Sequence, residues 1–167
     1  TTYATAANAG AVSFTNVVGI DEITATAAID SPSTSSSNNL NAGTYSQSVA
    51  EDSHAGADAS NYTLAAFTTA SSNYVVNQLA LDGAIAASGN VYGSALVDGA
   101  VSYTNLVTGD ELALPTLAID TTGNTSTSGN LNAGTYAGIQ SVTGLNGTDA
   151  ANYSIGSFSS GDYTVSK

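Results

Sequence analysis

A seven-residue block that occurs twice is the feature that most constrains the fold of this chain. Residues 39–45 read Asn-Leu-Asn-Ala-Gly-Thr-Tyr, and the same seven residues return 91 positions later at 130–136. Within the block, Asn and Gly are typical of a turn, while Thr and Tyr begin a strand. A unit repeated in this way usually builds an array of similar small domains. We therefore predict two tandem repeats, residues 1–78 and residues 79–167, called here the first and the second copy.

Alternation of apolar and small polar residues predicts strands in both copies. Residues 10–16 match residues 99–105, and within them Val12 and Phe14 are separated by one residue, as in a half-buried strand. The apolar segments of the chain are short, rich in β-branched or aromatic residues, and bounded by Gly or Asn. This pattern predicts an all-β fold.

The charge of the chain restricts its partners. Thirteen acidic residues oppose one basic residue, Lys167, and the formal net charge is -12. Phosphate binding requires Lys and Arg, so we expect neither a nucleic-acid partner nor an anionic membrane surface. The chain contains no apolar run of about 18 residues, so no membrane span is predicted. Cys is absent, which excludes disulfides and thiolate metal sites.

The surroundings of the protein are inferred from its surface composition. Only 8% of the residues are charged, so Ser, Thr, Asn and Gly must supply most of the polar surface, and almost no trypsin site is present. We interpret this as suited to a protease-rich environment and predict a secreted or cell-surface location. No signal peptide is visible at Thr1, which leaves a cytosolic protein, a mature product or part of a longer chain as alternatives.

The second copy opens with a segment that the first copy lacks. Residues 79–90 read as a strand and a turn, and Thr1 aligns with Asn90. An open core groove or unpaired strand edge is a liability in a β protein. Either the chain belongs to a longer array, or another subunit supplies the strand. The candidate junction residues are Thr1, Thr2, Tyr3, Leu79, Leu81, Tyr163 and Val165.

Several motifs of the second copy together resemble a known repeat family. They are Val-Tyr-Gly at 91–93, Thr-Gly-Asp-Glu-Leu at 108–112, Asn-Ala-Gly-Thr-Tyr at 132–136, Gly-Thr-Asp-Ala-Ala-Asn-Tyr at 147–153 and Asp-Tyr-Thr-Val at 162–165. In this order they resemble the tandem MBG/YDG-type repeats of large bacterial secreted and surface adhesins. The resemblance implies small β-grasp-like or sandwich-like modules in an elongated array, and it brings no catalytic residues. We expect no cofactor, with Ca²⁺ as the alternative considered below.

The candidates for catalysis are few. His54 is the single histidine, and the second copy has Leu145 at the corresponding position. A catalytic histidine needs a nucleophile or base in fixed geometry, and none is indicated. We interpret His54 as an exposed loop residue and predict that the chain is not an enzyme.

Two repeated carboxylate pairs raise the question of calcium. Asp21 and Glu22 recur as Asp110 and Glu111, and Ca²⁺ takes oxygen ligands. No Asp-x-Asp-x-Asp-Gly loop is present, however, and adjacent residues of a strand face opposite ways. Polar turn residues are the favoured interpretation, with Ca²⁺ binding as the alternative.

Two other sets of repeated residues have structural interpretations. Asp58 and Asp149 are predicted to cap single helical turns. The recurring tyrosines are predicted to pack in the core with their hydroxyls at its rim; the pairs are Tyr45/Tyr136, Tyr62/Tyr153 and Tyr74/Tyr163.

Three functions follow as hypotheses. The first is a non-enzymatic structural repeat of an extracellular adhesin stalk or surface fibre, whose partners are neighbouring repeats. The second is a complete filament subunit that polymerises head-to-tail with identical subunits by β-strand donation. The third is a lectin-like or ice-binding module, with host or biofilm surface glycans as partners, suggested by the Thr/Ser/Asn-rich surface.

Overall fold

The computed structural model describes all residues, 1–167, and their contacts divide the chain into two compact units. The first unit comprises Thr1–Thr34 and Asn39–Asn77, and the second comprises Ser35–Asn38 and Gln78–Lys167. The predicted all-β fold is confirmed, because the regular structure consists of strands and two short 3₁₀ turns. No helix has the length and apolar character needed to cross a membrane.

The first unit contains only strands of two or three residues. They are β1 (Thr24–Ala25), β2 (Ala28–Ile29), β3 (Gly43–Tyr45), β4 (Gln47–Val49), β5 (His54–Ala55), β6 (Phe67–Thr68) and β7 (Tyr74–Val76), with the 3₁₀ turn η1 (Ala59–Asn61) between β5 and β6. All pairs are antiparallel: β1 with β5, β4 between β2 and β6, and β3 with β7. Its buried apolar side chains are Tyr3, Val49 and Val76.

The second unit has longer strands and a larger core. Its elements are β8 (Leu79–Ile85), β9 (Ser88–Val91), β10 (Val101–Tyr103), β11 (Ala113–Ile119), β12 (Gly134–Tyr136), β13 (Gln140–Asn146), the 3₁₀ turn η2 (Ala150–Asn152), β14 (Tyr153–Ser160) and β15 (Tyr163–Ser166). The sheet orders are β10-β8-β14, β12-β15-β9 and β11-β13. The buried apolar side chains are Leu81, Ile85, Leu131, Val142, Tyr153, Tyr163 and Val165.

The repeated seven-residue block forms the same structure in both units. Its last three residues are β3 in the first unit and β12 in the second, and each pairs antiparallel with the closing strand of its unit, β7 or β15. The tyrosine that ends the block donates its hydroxyl to a backbone carbonyl four residues earlier, Tyr45 to Asn41 at 2.9 Å and Tyr136 to Asn132 at 2.8 Å. The block is therefore a turn that begins a strand, as its sequence predicts.

The strand predicted around Val12 and Phe14 forms in the second copy only. There β10 pairs with β8, whereas in the first unit the aligned segment makes one isolated bridge, between Ala11 and Thr26. The prediction is wrong for the first copy because β10 is a strand through its pairing with β8, and β8 has no counterpart in the first unit. The alternation of apolar and polar residues along the segment is the same in both copies, but only the second copy has a strand that pairs with it.

The predicted caps also need correction. Asp58 and Asp149 do occupy the residue before η1 and η2, but neither makes a side-chain hydrogen bond to its turn. Instead, Asp58 Oδ2 accepts from the Glu22 amide at 2.9 Å, and Asp149 Oδ2 accepts from the Glu111 amide at 2.8 Å. Each aspartate thus ties its turn to the acidic loop that lies earlier in the same copy.

Candidate functional site

The central strand of the second unit, β8, shows what the first unit lacks. Its register pairs Leu79 with Tyr153 in parallel β14, and Ile85 with Val101 in antiparallel β10. Between these ends lies Leu81, which is 0% exposed, and Ile85 is 2% exposed. Fully burying one such side chain stabilises a fold by about 1.5–3 kcal/mol. Strand β8 therefore supplies a large part of the core of its unit.

A side-chain amide clamps the backbone of β8. Asn105 Oδ1 accepts from the Asp82 amide at 2.8 Å, and Asn105 Nδ2 donates to the Ala80 carbonyl at 2.8 Å. Asp82 Oδ1 in turn accepts from the Ser157 amide at 2.6 Å, where the register of β14 shifts. These bonds hold β8 at one register relative to β14.

A second amide side chain, Gln140, holds the connection between β8 and β9. Gln140 is 3% exposed, and its Oε1 accepts from the Gly99 amide at 2.9 Å and from Ser88 Oγ at 2.8 Å. Its Nε2 donates to the carbonyls of Ala86 at 3.3 Å and Gly161 at 3.2 Å. Because a buried amide is costly unless it is bonded, Gln140 and this connection depend on each other.

The first unit carries the same two amide side chains. Asn16 aligns with Asn105, but its side chain makes no hydrogen bond in the structure. Gln47 aligns with Gln140 through the shared Gln-Ser-Val sequence and likewise accepts from a glycine amide, that of Gly10. Its Nε2 donates to Asn73 Oδ1 at 2.9 Å. The side chains that would hold an opening strand are present without that strand.

Two cavities lie where the strand would run. One of about 310 Å³ is lined by Val12, Gln47, Val49, Phe67 and Thr69, among other residues. The other, of about 170 Å³, is lined in part by the segments 14–17 and 62–64. We call these two cavities together the open groove.

One aromatic position, that of Phe67 and Phe158, differs in exposure between the two units. In the second unit Phe158 packs edge-to-face on Tyr103, with ring centroids 6.2 Å apart and planes at 81°. The aligned pair in the first unit is Phe67 and Phe14. Each lines one of the two cavities, and Phe67 is 61% exposed. An exposed phenylalanine at a position that is half-buried in the other unit marks the open groove as an incomplete core.

His54 is not the exposed loop residue that the sequence suggests. It is half-buried in β5 and lines the smaller cavity of the groove. Its Nε2 lies 3.0 Å from the Ala59 carbonyl and 3.2 Å from the Tyr62 carbonyl, while Nδ1 is buried without a partner. The sequence interpretation failed because His54 pairs with Ala25 in a two-residue strand, which local composition does not reveal.

The aspartate of each carboxylate pair accepts a hydrogen bond from a tyrosine. Asp21 Oδ2 accepts from the Tyr62 hydroxyl at 2.8 Å, and Asp110 Oδ2 accepts from the Tyr153 hydroxyl at 2.6 Å. No group of three or more His, Cys, Asp or Glu side chains comes together. Calcium binding at Asp21, Glu22, Asp110 and Glu111 stays a prediction.

The environment of Tyr62 shows the electrostatic effect of this arrangement. The Val18 amide, which donates to the phenol oxygen at 2.9 Å, lowers the pKa of Tyr62. Desolvation and the hydrogen bond to the Asp21 carboxylate oppose it, and the pKa lies above its ordinary value. The tyrosine therefore keeps its proton and its donor role into alkaline solution.

The candidate junction residues fall into two groups. Leu81, Tyr163 and Val165 are buried in the core of the second unit with Leu79 half-buried beside them, and Tyr3 is buried in the first. Thr1 and Thr2 continue the sheet of the first unit, since the Thr1 amino group donates to the Val75 carbonyl at 2.9 Å and Thr2 bridges Asn77 in parallel. Their role at a junction stays a prediction.

The N-terminal residues occupy the position of β9. In the second unit Val91, at the end of β9, pairs in parallel with Ser166 of the closing strand, as Thr2 does with Asn77. The first unit thus retains the end of the β9 equivalent, beside the open groove.

Sequence reasoning missed the roles of Asn105 and Gln140. Both lie in repeated motifs, at 99–105 and 140–142, so the available signal was a polar residue present at matching positions of two copies. Comparisons with family models, curated proteins and solved structures find no match to this chain.

Proposed function

We propose that the chain is a non-enzymatic structural β repeat of an extracellular stalk or surface fibre. The observation that carries this proposal is the recurrence of one set of bonds in both units. A tyrosine hydroxyl, an aspartate and a valine amide meet in each unit, as Tyr62, Asp21 and Val18 and as Tyr153, Asp110 and Val107. These bonds fasten loops to strands.

The repeated bonds support a mechanical role. The Asp58–Glu22 link recurs as Asp149–Glu111, so each copy uses the same side chains to hold its own loops. In repeat proteins stability is approximately a sum over units and their nearest neighbours. An array built from such units gains length by adding copies, and each copy needs only its own bonds and those to its neighbours.

Immunogold electron microscopy tests this proposal. Antibody raised against the 167-residue chain is applied to intact cells that make the protein, with preimmune serum as control. We expect gold particles along fibres or stalks that extend from the cell surface. Labelling confined to the cell interior would contradict the proposal.

The open groove favours a second candidate, a filament subunit joined by β-strand donation. Strand addition at a sheet edge uses backbone hydrogen bonds for affinity and side-chain pockets for specificity. A head-to-tail contact of this kind propagates as an open fibre. Sedimentation of the purified chain at rising concentration distinguishes the two candidates, because a subunit of this type forms polymers and a stalk repeat stays monomeric.

A further inference from the structure

We infer that the open groove of the first unit accepts a strand with the sequence pattern of β8, in one orientation and one register. The accepted strand lies parallel to residues 62–69 and antiparallel to residues 11–14. This inference rests on the proposed role as a structural repeat and adds the partner segment that completes the unit.

The register follows from the alignment of the two units. In the second unit Leu79 lies opposite Tyr153 and Ile85 lies opposite Val101. The aligned residues of the first unit are Tyr62 and Val12. The first residue of the accepted strand therefore lies opposite Tyr62, and its seventh lies opposite Val12.

Backbone groups on both sides of the groove are available for this strand. Ser13 and Phe14 on one side, and Thr63 on the other, make no backbone hydrogen bond in the structure. The neighbouring Leu64 is already bonded to Asp52 through both its amide and its carbonyl, at 2.9 Å each. Successive residues of an extended chain direct these groups to opposite sides. The groups of Thr63 therefore face the groove.

The two cavities match the two apolar side chains that β8 buries. Leu81 lies opposite Ile155, which aligns with Leu64 in the wall of the smaller cavity. Ile85 lies opposite Ser160, which aligns with Thr69 in the wall of the larger cavity. The third and seventh positions of the accepted strand are accordingly leucine-like and isoleucine-like.

The fifth position of the strand must be glycine. A Cβ on Gly83 would lie 2.7 Å from Phe158 Cε1 and closer still to the Ser102 carbonyl oxygen. The first unit has Phe67 at the position of Phe158 and Phe14 at that of Tyr103. A side chain at the fifth position would meet the same crowding once Phe67 folds over the strand. This requirement separates an opening strand from other apolar strands.

Asn16 provides the test of specificity. Its counterpart Asn105 bonds to two backbone groups of β8, so Asn16 is expected to clamp the backbone of the accepted strand in the same way. The matched variants are Asn16→Ala and Asn105→Ala. The first removes a clamp from the open groove, and the second removes the equivalent clamp from the occupied one.

The experiment uses the full chain and a synthetic peptide with the sequence of residues 79–91. Binding of fluorophore-labelled peptide is followed by anisotropy, and its location by hydrogen exchange. We expect saturable binding that slows exchange at residues 11–14 and 62–69. Asn16→Ala should weaken binding about tenfold, because two hydrogen bonds are lost. Asn105→Ala should leave the affinity of the first unit unchanged.

A peptide carrying Gly83→Leu is the matched control for the groove. It keeps the length, the charge and the other apolar side chains, and we expect its affinity to fall by at least about tenfold, the effect of an overpacking cost of about 1.4 kcal/mol or more. Equal binding of the two peptides, or protection limited to the second unit, would overturn the inference.

A covalent version of the experiment guards against poor peptide solubility. The sequence of residues 79–89 is joined ahead of Thr1, which reproduces the connectivity of the second unit because Thr1 aligns with Asn90. Exchange at residues 62–69 should then slow relative to a fusion carrying Gly83→Leu in the added segment. Equal exchange in the two fusions would refute the inference. If the peptide or the fusion experiment fails, the inference about strand binding is refuted, but labelling of fibres at the cell surface would still support the proposed function. If the label lies inside the cell while the strand binds as expected, only the proposed stalk or fibre is refuted.

Discussion

At the scale of residues, amide side chains hydrogen-bond to the backbone of β8 and of the connection that follows it. Asn105 and Gln140 together make five hydrogen bonds to the backbone, three of them to β8 and the residue that follows it, while Ser88 supplies a hydroxyl. Asn16 and Gln47 repeat the residue types without the same set of bonds. The sequence shows that these amides recur, but their partners are distant in the chain and could not be read from local pattern.

Tyr103 illustrates the cost of an unsatisfied polar group. Its hydroxyl is buried without a hydrogen-bond partner, and burial raises its pKa above the ordinary value. The aligned residue of the first copy is Phe14. We expect Tyr103→Phe to increase the free energy of unfolding by about 1 kcal/mol, because the buried hydroxyl is removed. Urea unfolding followed by circular dichroism measures this.

The same variant should change the alkaline behaviour. A group whose pKa is higher in the folded state contributes stability below its unfolded-state pKa, and that stability is lost as pH rises through the folded-state value. The loss expected above about pH 10 should be smaller in Tyr103→Phe. As a control, Tyr136→Phe removes a hydroxyl that donates to the Asn132 carbonyl at 2.8 Å and should lower stability. Destabilisation by Tyr103→Phe would show that its hydroxyl has a partner.

At the scale of elements, β8 determines the structure of the strands on both of its sides. With β8 present, residues 101–103 and 153–160 form β10 and β14. Without it, the aligned segments form one bridge and the two-residue strand β6, which pairs with β4 instead. Sequence pattern predicted the strand character of these segments correctly for one copy and not for the other, because pairing is required in addition to alternation.

Truncating the central side chain of β8 should show how much this strand contributes to the free energy of unfolding. We expect Leu81→Ala to lower the free energy of unfolding by about 2–5 kcal/mol, because a fully buried leucine leaves a cavity. The matched control is Leu114→Ala, whose leucine is 88% exposed and whose loss should cost less than about 0.5 kcal/mol. Thermal and urea unfolding by circular dichroism compares the two. Similar effects of both variants would contradict a central role for β8.

At the scale of the whole molecule, two units with a common sequence pattern differ in their cores. The first unit has three buried apolar side chains and the second has seven, which include Leu81 and Ile85 of β8. Small domains are marginally stable, so a few buried side chains change their opening free energy substantially. The open groove lies where the first unit lacks counterparts of Leu81 and Ile85.

Hydrogen exchange should reveal the difference directly. The pairs β3–β7 and β12–β15 have the same register in the two units, which makes their amides a matched comparison. We expect amides of β3 and β7 to exchange at least about tenfold faster than those of β12 and β15, since each 1.4 kcal/mol of opening free energy is a factor of ten. Measurement is by two-dimensional NMR of the intact chain. Equal protection would show that the first unit is as stable as the second.

The sequence alone determined the internal repeat and the all-β class, because repetition and period-two alternation are properties of the chain itself. The tertiary structure decided which of the alternating segments became strands. It also placed His54 in a groove wall and directed Asp58 and Asp149 to the amides of Glu22 and Glu111. Those outcomes depend on hydrogen-bond partners dozens of residues away. The seven-residue block forms the same turn and strand in both units because each unit retains the closing strand with which it pairs.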